Sequence, residues 1–270
     1  MTGGDHEPRK DNYIAMCRSK DRGTTWGKPE TVLRFDDRAC LLSEVIVHQE
    51  EIRVIVESHL GHFEDWQVFE MISKDNGSTW SKPIPFTPMP YRAFLRNLYV
   101  STWNEWFMPF QRYDVVTDVA TSPLKDGAIK LARNGTLISN DEGRTWTRST
   151  DTGPTIGWAE NNLVELSDGR LVMLIRDDHP FHLVPGRLGR QWKSTLEVGY
   201  LKRSESTDNG RTWSSPPEQT DIPNPSSKFR LHRLHTGQIV LIHNPNPRPG
   251  HRNPLSLWIS DDDMKTWNYK

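Results

Sequence analysis

The octapeptide "SKDNGSTW", residues 73–80, decides how this chain is read, because close copies of it recur. They are "SKDRGTTW" from Ser19, "SNDEGRTW" from Ser139, "STDNGRTW" from Ser206 and the looser "SDDDMKTW" from Ser260. Their aspartates, Asp21, Asp75, Asp141, Asp208 and Asp262, lie 54, 66, 67 and 54 residues apart. Repeats of that length suggest a propeller or array of sheets rather than a helical solenoid, whose units are shorter. Five copies of one catalytic aspartate would make little chemical sense, whereas five copies of one turn-forming device suit a repeated architecture. Each Asp can accept hydrogen bonds from backbone N–H groups about two residues on, each Gly can supply φ > 0, and each terminal Trp can bury against the adjoining strands. A calcium-binding loop is excluded, because the segment is too short and lacks spaced carboxylates and a final Glu.

A second repeat lies between the octapeptides. "LVELSDGRLVMLIR" (163–176) aligns with "LHRLHTGQIVLIHN" (231–244) position for position, and "VIVHQEEIRVIVES" (45–58) and "NLYVSTWNEWFMPFQ" (97–111) are weaker versions. Each reads as a β-hairpin. A further strand-like run precedes each octapeptide: "YIAMC", "VFEMIS", "IKLARNGTLIS", "LEVGYLKRS" and "LSLWIS". No window has the periodicity of an amphipathic helix. The expected fold is all-β, a β-propeller of four-stranded antiparallel blades, with residues 1–270 forming one domain. The octapeptide joins the third and fourth strands of a blade.

Composition narrows function by exclusion. The 270 residues carry a net charge of −1, which offers no electrostatic case for nucleic acid or an anionic membrane. No apolar run approaches the roughly 20 residues of a membrane span. Cys17 and Cys40 are read as buried free thiols. No metal or other cofactor is called for, since His59 and His62 lack an evident third ligand. The first ten residues have no apolar core of a secretion signal.

"S-x-D-x-G-x-T-W" resembles the Asp-box, or BNR repeat, of the sialidase (neuraminidase) superfamily, and the five copies cover nearly the whole chain. The resemblance implies a six-bladed propeller. The chain opens just before a third strand and stops three residues after the fifth box. At about 60 residues per blade, six blades need roughly 360, so the propeller is expected to be incomplete here, truncated at both ends. Met264, at the Gly position of the last box, implies a turn that differs or carries strain.

Antiparallel geometry puts the boxes and hairpin turns at one end of the blades, and the starts of first strands and ends of second strands at the other. A pocket would sit at that second end, remote from the boxes. The superfamily resembles "AENNLVELSDGRLVMLIR" in having a Glu sixteen residues before an Arg, and it carries an Arg eight residues before the Ser of a box. Glu160, Arg176 and Arg252 fit. The resemblance implies that Arg176 and Arg252 are two members of an arginine triad holding a sugar carboxylate, because guanidinium forks pair bidentately with carboxylates. It implies that Glu160 polarises a tyrosine nucleophile, the exception to the two-carboxylate glycosidase scheme. The acid/base aspartate is expected just before the first third strand, as Asp5 in "GGDHEP", with Asp11 the alternative. The first triad arginine and the tyrosine have no counterpart in this sequence. His59, His62, Arg96 and Arg230 could line the same end.

The expected activity is that of an exo-glycosidase releasing a terminal acidic sugar from glycans. The alternatives are a non-catalytic carbohydrate-binding propeller, or a lyase or hydrolase acting on uronic-acid polysaccharides. The expected partner is an acidic glycan; no nucleic acid, membrane span or obligate protein partner is indicated. Secretion or a periplasmic location is implied by the resemblance alone.

Overall fold

The computed structural model describes residues 2–4, 9–60, 65–87, 93–113, 131–156, 158–177, 181–186, 189–194 and 199–268. Every element among them is a strand, and every pairing described is antiparallel. The chain divides into two compact units, Met1–Phe94 and Leu95–Lys270, the division falling inside the strand Ala93–Leu95.

The first unit holds a three-stranded sheet of Thr2–Gly3, Tyr13–Met16 and Glu30–Leu33, and a four-stranded sheet of Ala39–His48, Glu51–His59, Gln67–Ser73 and Ile84–Pro85. In the second unit, Trp106–Tyr113 and Leu131–Ser139 form the centre of one sheet. Asn161–Glu165, Leu171–Ile175, Tyr200–Ser206 and Glu218–Pro223 form a four-stranded meander. Arg230–Arg233, Ile239–His243 and Ser256–Ser260 repeat its first three strands. The two aligned hairpins of the sequence are thus the first pairs of successive sheets. One departure is an added hairpin, Phe181–Gly186 with Gly189–Ser194, inserted where a plain loop was expected between second and third strands.

Apolar alternation buries each sheet in turn. Val164, Val172, Leu174, Leu201, Leu231, Ile239 and Leu241 form one continuous core across the last two sheets. Ile14, Cys40, Val54, Val56 and Met71 form another in the first unit. Cys40 is buried as expected, and burial pushes its thiol up to about 11. Cys17 is only half-buried, because it falls one residue beyond the strand Tyr13–Met16.

All five octapeptides close the same ring of hydrogen bonds. In the second box Ser73 Oγ donates to Asp75 Oδ1 at 2.8 Å and accepts from the Gly77 N–H at 2.7 Å. Asp75 Oδ1 accepts from the Thr79 N–H at 2.8 Å, and Oδ2 from the Thr79 hydroxyl at 2.7 Å. The carboxylate therefore reaches four residues on, not two, and engages the Thr that recurs at that position of each copy as well as the backbone. These bonds, to Thr first, hold the Asp21 and Asp141 carboxyls down at about 2. Two consecutive residues adopt the left-handed conformation in each box, as in Asn76 at φ 56° and Gly77 at 76°.

Two details differ from expectation. Trp146 and Trp213 are buried, but Trp26 is 64% exposed and only returns its indole N–H to the Gly23 carbonyl. Met264 does not alter its turn: it takes φ 65°, and its N–H still donates to Ser260 Oγ at 2.9 Å. The side chain is buried with Leu166 and Trp258, so apolar burial offsets left-handed strain at this one box.

Candidate functional site

The boxes and hairpin turns do share one end in the second unit. Arg211 of the fourth box meets Glu105 in the turn before Trp106–Tyr113 at 3.0 Å, and Asp263 of the fifth box takes the hydroxyl of Ser167, in the turn before Leu171–Ile175. The opposite strand ends hold a different kind of arrangement.

Glu160 directly precedes the strand Asn161–Glu165, and Arg176 directly follows Leu171–Ile175. Because Asn161 pairs with Ile175, the next pair outward is Glu160 with Arg176, and the Arg176 N–H donates to the Glu160 carbonyl at 2.8 Å. The side chains repeat the pairing: Arg176 Nη1 donates to Glu160 Oε2 at 2.5 Å, with both residues buried. Glu160 Oε1 faces two more cations, Arg96 Nη2 at 3.8 Å and Lys228 Nζ at 3.9 Å. Burial alone would raise the Glu160 carboxyl strongly, but Arg176, Arg96 and Lys228 together outweigh it and leave it below the usual range. Glu160 is therefore an anion at neutral pH. Among the described residues, three cations face this one carboxylate.

A chain of hydrogen bonds fixes this cluster from behind. Arg96 Nε donates to Gln111 Oε1 at 2.9 Å, Gln111 Nε2 donates to the Tyr113 hydroxyl at 2.9 Å, and that hydroxyl donates to the Trp158 carbonyl at 2.8 Å. The Ala159 carbonyl accepts from Asn134 Nδ2 at 2.7 Å, and Ala159 itself lies at φ 48°. The two residues ahead of Glu160 are thus anchored at their backbones, which pre-orients its side chain. Chemically, the cluster can bind a carboxylate at the cations, and it can hold a negative charge at Glu160 next to a reacting group.

The other expected site residues are distributed as follows. Arg252 lies in the loop before Ser256–Ser260, where its Nη2 donates to the Ser226 carbonyl at 2.9 Å rather than to Glu160. Ser226 belongs to the same segment as Lys228, so that segment links the Arg252 loop to the cluster. Asp5 and His62 lie outside the described residues. Asp11 is exposed in the turn before Tyr13–Met16, and His59 is buried against Trp66, both within the first unit. Arg230 is exposed at the start of its strand. Lys228 was not anticipated, although the hairpin alignment contains the signal: it occupies the position of Glu160, sixteen residues ahead of Asn244.

Residues 1–270 match the BNR repeat-like domain family throughout. The chain belongs to that family. Among relatives of this BNR-repeat chain is a sialidase of Micromonospora viridifaciens, 24% identical over 294 residues, covering 95% of this chain and 40% of that protein. Solved structures of similar fold include the Hadza microbial sialidase Hz136, with TM-score 0.68 and 19% identity over 96% of this chain and 52% of that one. Trypanosoma rangeli sialidase in complex with sialic acid has TM-score 0.63 and 18% identity, over 93% and 42% of the respective chains. The fold is accordingly that of the sialidase β-propellers, and the chain spans about half the length of these relatives or less. No helix among the described residues is long and apolar enough to cross a membrane.

Proposed function

We propose that this BNR-repeat chain supplies the acid-recognising part of a sialidase-type exo-glycosidase acting on a terminal acidic sugar. The observation that carries the reading is the buried Glu160–Arg176 pair at the strand ends opposite the boxes, with Arg96 and Lys228 on the same carboxylate. In this reading Arg176 takes the sugar carboxylate through charge-assisted hydrogen bonds, with Arg252 joining from its loop. Glu160 remains ionised and polarises the hydroxyl nucleophile, so that it attacks without presenting a full negative charge to an anionic substrate. Asp5 would serve as acid/base. Support comes from the 24%-identical relative named a sialidase and from a similarly folded sialidase in complex with sialic acid.

A non-catalytic binding propeller is the second reading. It is favoured by Tyr113, whose hydroxyl bonds to Gln111 and to the Trp158 carbonyl and so acts as a brace within the network. Turnover of a fluorogenic sialoside, measured alongside binding of free sialic acid, separates the two. Hydrolysis lost in Glu160→Gln with binding retained supports the enzyme. Binding without hydrolysis in the unaltered protein supports the binding module. An unaltered protein that neither binds nor cleaves the sialoside overturns both.

A further inference from the structure

Between Ile222 and Ser260 the chain contains no Asp or Glu, in a protein whose net charge is −1. The same stretch carries Lys228, Arg230, Arg233, Arg248 and Arg252, and four histidines. Arg233 is committed to Asp263 at the box end, 3.1 Å away, and Lys228 faces Glu160. Arg248, His251 and Arg252 are different: all three are exposed on the loop between the strands Ile239–His243 and Ser256–Ser260, and among the described residues none has a carboxylate partner.

This loop is ordered by its own hydrogen bonds. Asn244 Nδ2 donates to the Arg252 and Pro254 carbonyls, both at 3.0 Å, and Asn246 Nδ2 donates to the Asn253 carbonyl at 3.2 Å. Asn246 Oδ1 accepts from the Arg248 N–H at 2.9 Å. The Gly250 N–H donates to the Pro225 carbonyl at 2.9 Å, and the Gly199 N–H to the Pro247 carbonyl at 2.6 Å. The Gly250–Pro225 contact and the Arg252–Ser226 bond dock the loop on the segment that carries Lys228, and the Gly199–Pro247 contact ties it to the start of Tyr200–Ser206. Ser226 and Lys228 lie two positions apart in the chain, at most about 7 Å between their Cα atoms. A rigid backbone that displays three exposed cations with no described carboxylate partner, on a loop docked beside Lys228, is organised for an anion, because little ordering cost remains to be met on binding.

We propose that Arg248 and His251, carried on the same loop as Arg252, form a second anion subsite, which receives the carboxylate of a neighbouring sugar when the acidic sugar bound at Arg176 and Arg252 belongs to a polyanionic glycan. The inference deepens the function proposed above and rests on it. The preferred ligand is an oligomer with one carboxylate per residue rather than an acidic sugar capping a neutral chain.

Three probes separate charge from length: free sialic acid, sialyllactose with one acid on three sugars, and a sialic acid trimer with three. The trimer should bind about tenfold tighter than sialyllactose at about 0.05 M salt, and the advantage should collapse by about 0.5 M as screening shortens. The double variant Arg248→Gln/His251→Gln should remove that advantage while leaving free sialic acid binding unchanged. Equal affinities for trimer and sialyllactose, or a trimer preference that survives the double variant, overturns the subsite but not the primary reading. Trimer binding that needs Arg248 while free sialic acid fails to bind at all keeps the subsite and removes the primary reading. A protein that binds none of the three probes loses both.

Discussion

The third and fourth hairpins of the molecule are built alike and equipped differently. Leu163–Arg176 and Leu231–Asn244 align without a gap, and the strand Leu171–Ile175 pairs with Asn161–Glu165 in the register that Ile239–His243 uses with Arg230–Arg233. At the box end both continue into the same Ser–Asp–Thr ring. At the other end the third hairpin has Glu160 and Arg176, and the fourth has Lys228 and Asn244 in the same places. Asn244 bonds to two backbone carbonyls of its own loop, whereas Arg176 forms a buried ion pair. What recurs from blade to blade maintains the fold; what is substituted at equivalent positions sets the candidate site apart.

The largest effect expected from breaking this comparison is at Arg176. Arg176→Ala leaves Glu160 buried with only the more distant Arg96 and Lys228, and removing one partner of a buried pair typically costs about 3–5 kcal/mol. The loss should appear as a large drop in the denaturation midpoint, together with loss of acidic-sugar binding. Asn244→Ala, at the equivalent position, should cost no more than about 1–3 kcal/mol through two lost hydrogen bonds, and should weaken acidic-sugar binding far less, through the looser Arg252 loop alone. Equal losses of binding in the two variants would remove the distinction between the hairpins.

Next in size is the box itself. Asp208→Ala frees the Thr212 and Arg211 N–H groups and the Thr212 hydroxyl in a partly buried turn, and should lower stability by about 1–3 kcal/mol. Asp21 makes equivalent bonds beside the exposed Trp26, so Asp21→Ala should shift the melting temperature less. In both, turnover per folded molecule should be unchanged. Normal melting with abolished turnover would make the box catalytic after all.

The fold was legible because its signal is repeated. Five boxes and four hairpins each gave an independent reading of the same unit, so one irregular copy did little harm. The pairing at the centre of the candidate site was legible too, since Glu160 and Arg176 flank one hairpin and a fixed register brings them together. The rest depended on contacts that no local pattern encodes. Arg96 reaches Glu160 from another sheet, through a spacing of 64 residues, and Lys228 arrives from the opposite direction. Arg252 shows the converse: a correct spacing to its box did not determine where its guanidinium would bond. The added hairpin Phe181–Ser194 also escaped, because its sequence lacks the short Gly- or Asn-centred turn flanked by clean alternation.

A single buried slot offers a third and smaller test. Ile175 and His243 align, and both are fully buried. The imidazole packs edge-on to Trp258, with centroids 4.4 Å apart, and burial drives its pKa down to about 4 from 6.5. The neutral ring is what the fold accepts. Between about pH 6.5 and 4 the unfolded chain takes up a proton that the folded chain refuses, so this contribution is complete above pH 6.5 and is lost as pH falls. His243→Ile, borrowed from the third hairpin, should flatten the melting curve's pH dependence over that interval and change little above it. An unchanged acid slope would show that His243 does not contribute to it.

The smallest effect is expected where two terms nearly cancel. Gly210 and Met264 hold the same position of the fourth and fifth boxes, at φ 73° and 65°. At Gly210 an added Cβ would meet a Phe107 ring carbon at 2.8 Å, so the glycine is required by space as well as by backbone conformation. At Met264 the space is filled by the side chain itself, packed with Leu166 and Trp258. Met264→Gly relieves about 1–2 kcal/mol of left-handed strain. It also forfeits about 1.5–3 kcal/mol of apolar burial. The sum should be a destabilisation of about 1 kcal/mol or less, while Met264→Ala keeps the strain, loses most of the burial and should be the worse variant. If Met264→Gly instead proves the less stable of the two, the methionine is not strained in this turn, and the fifth box tolerates a side chain there at no conformational cost.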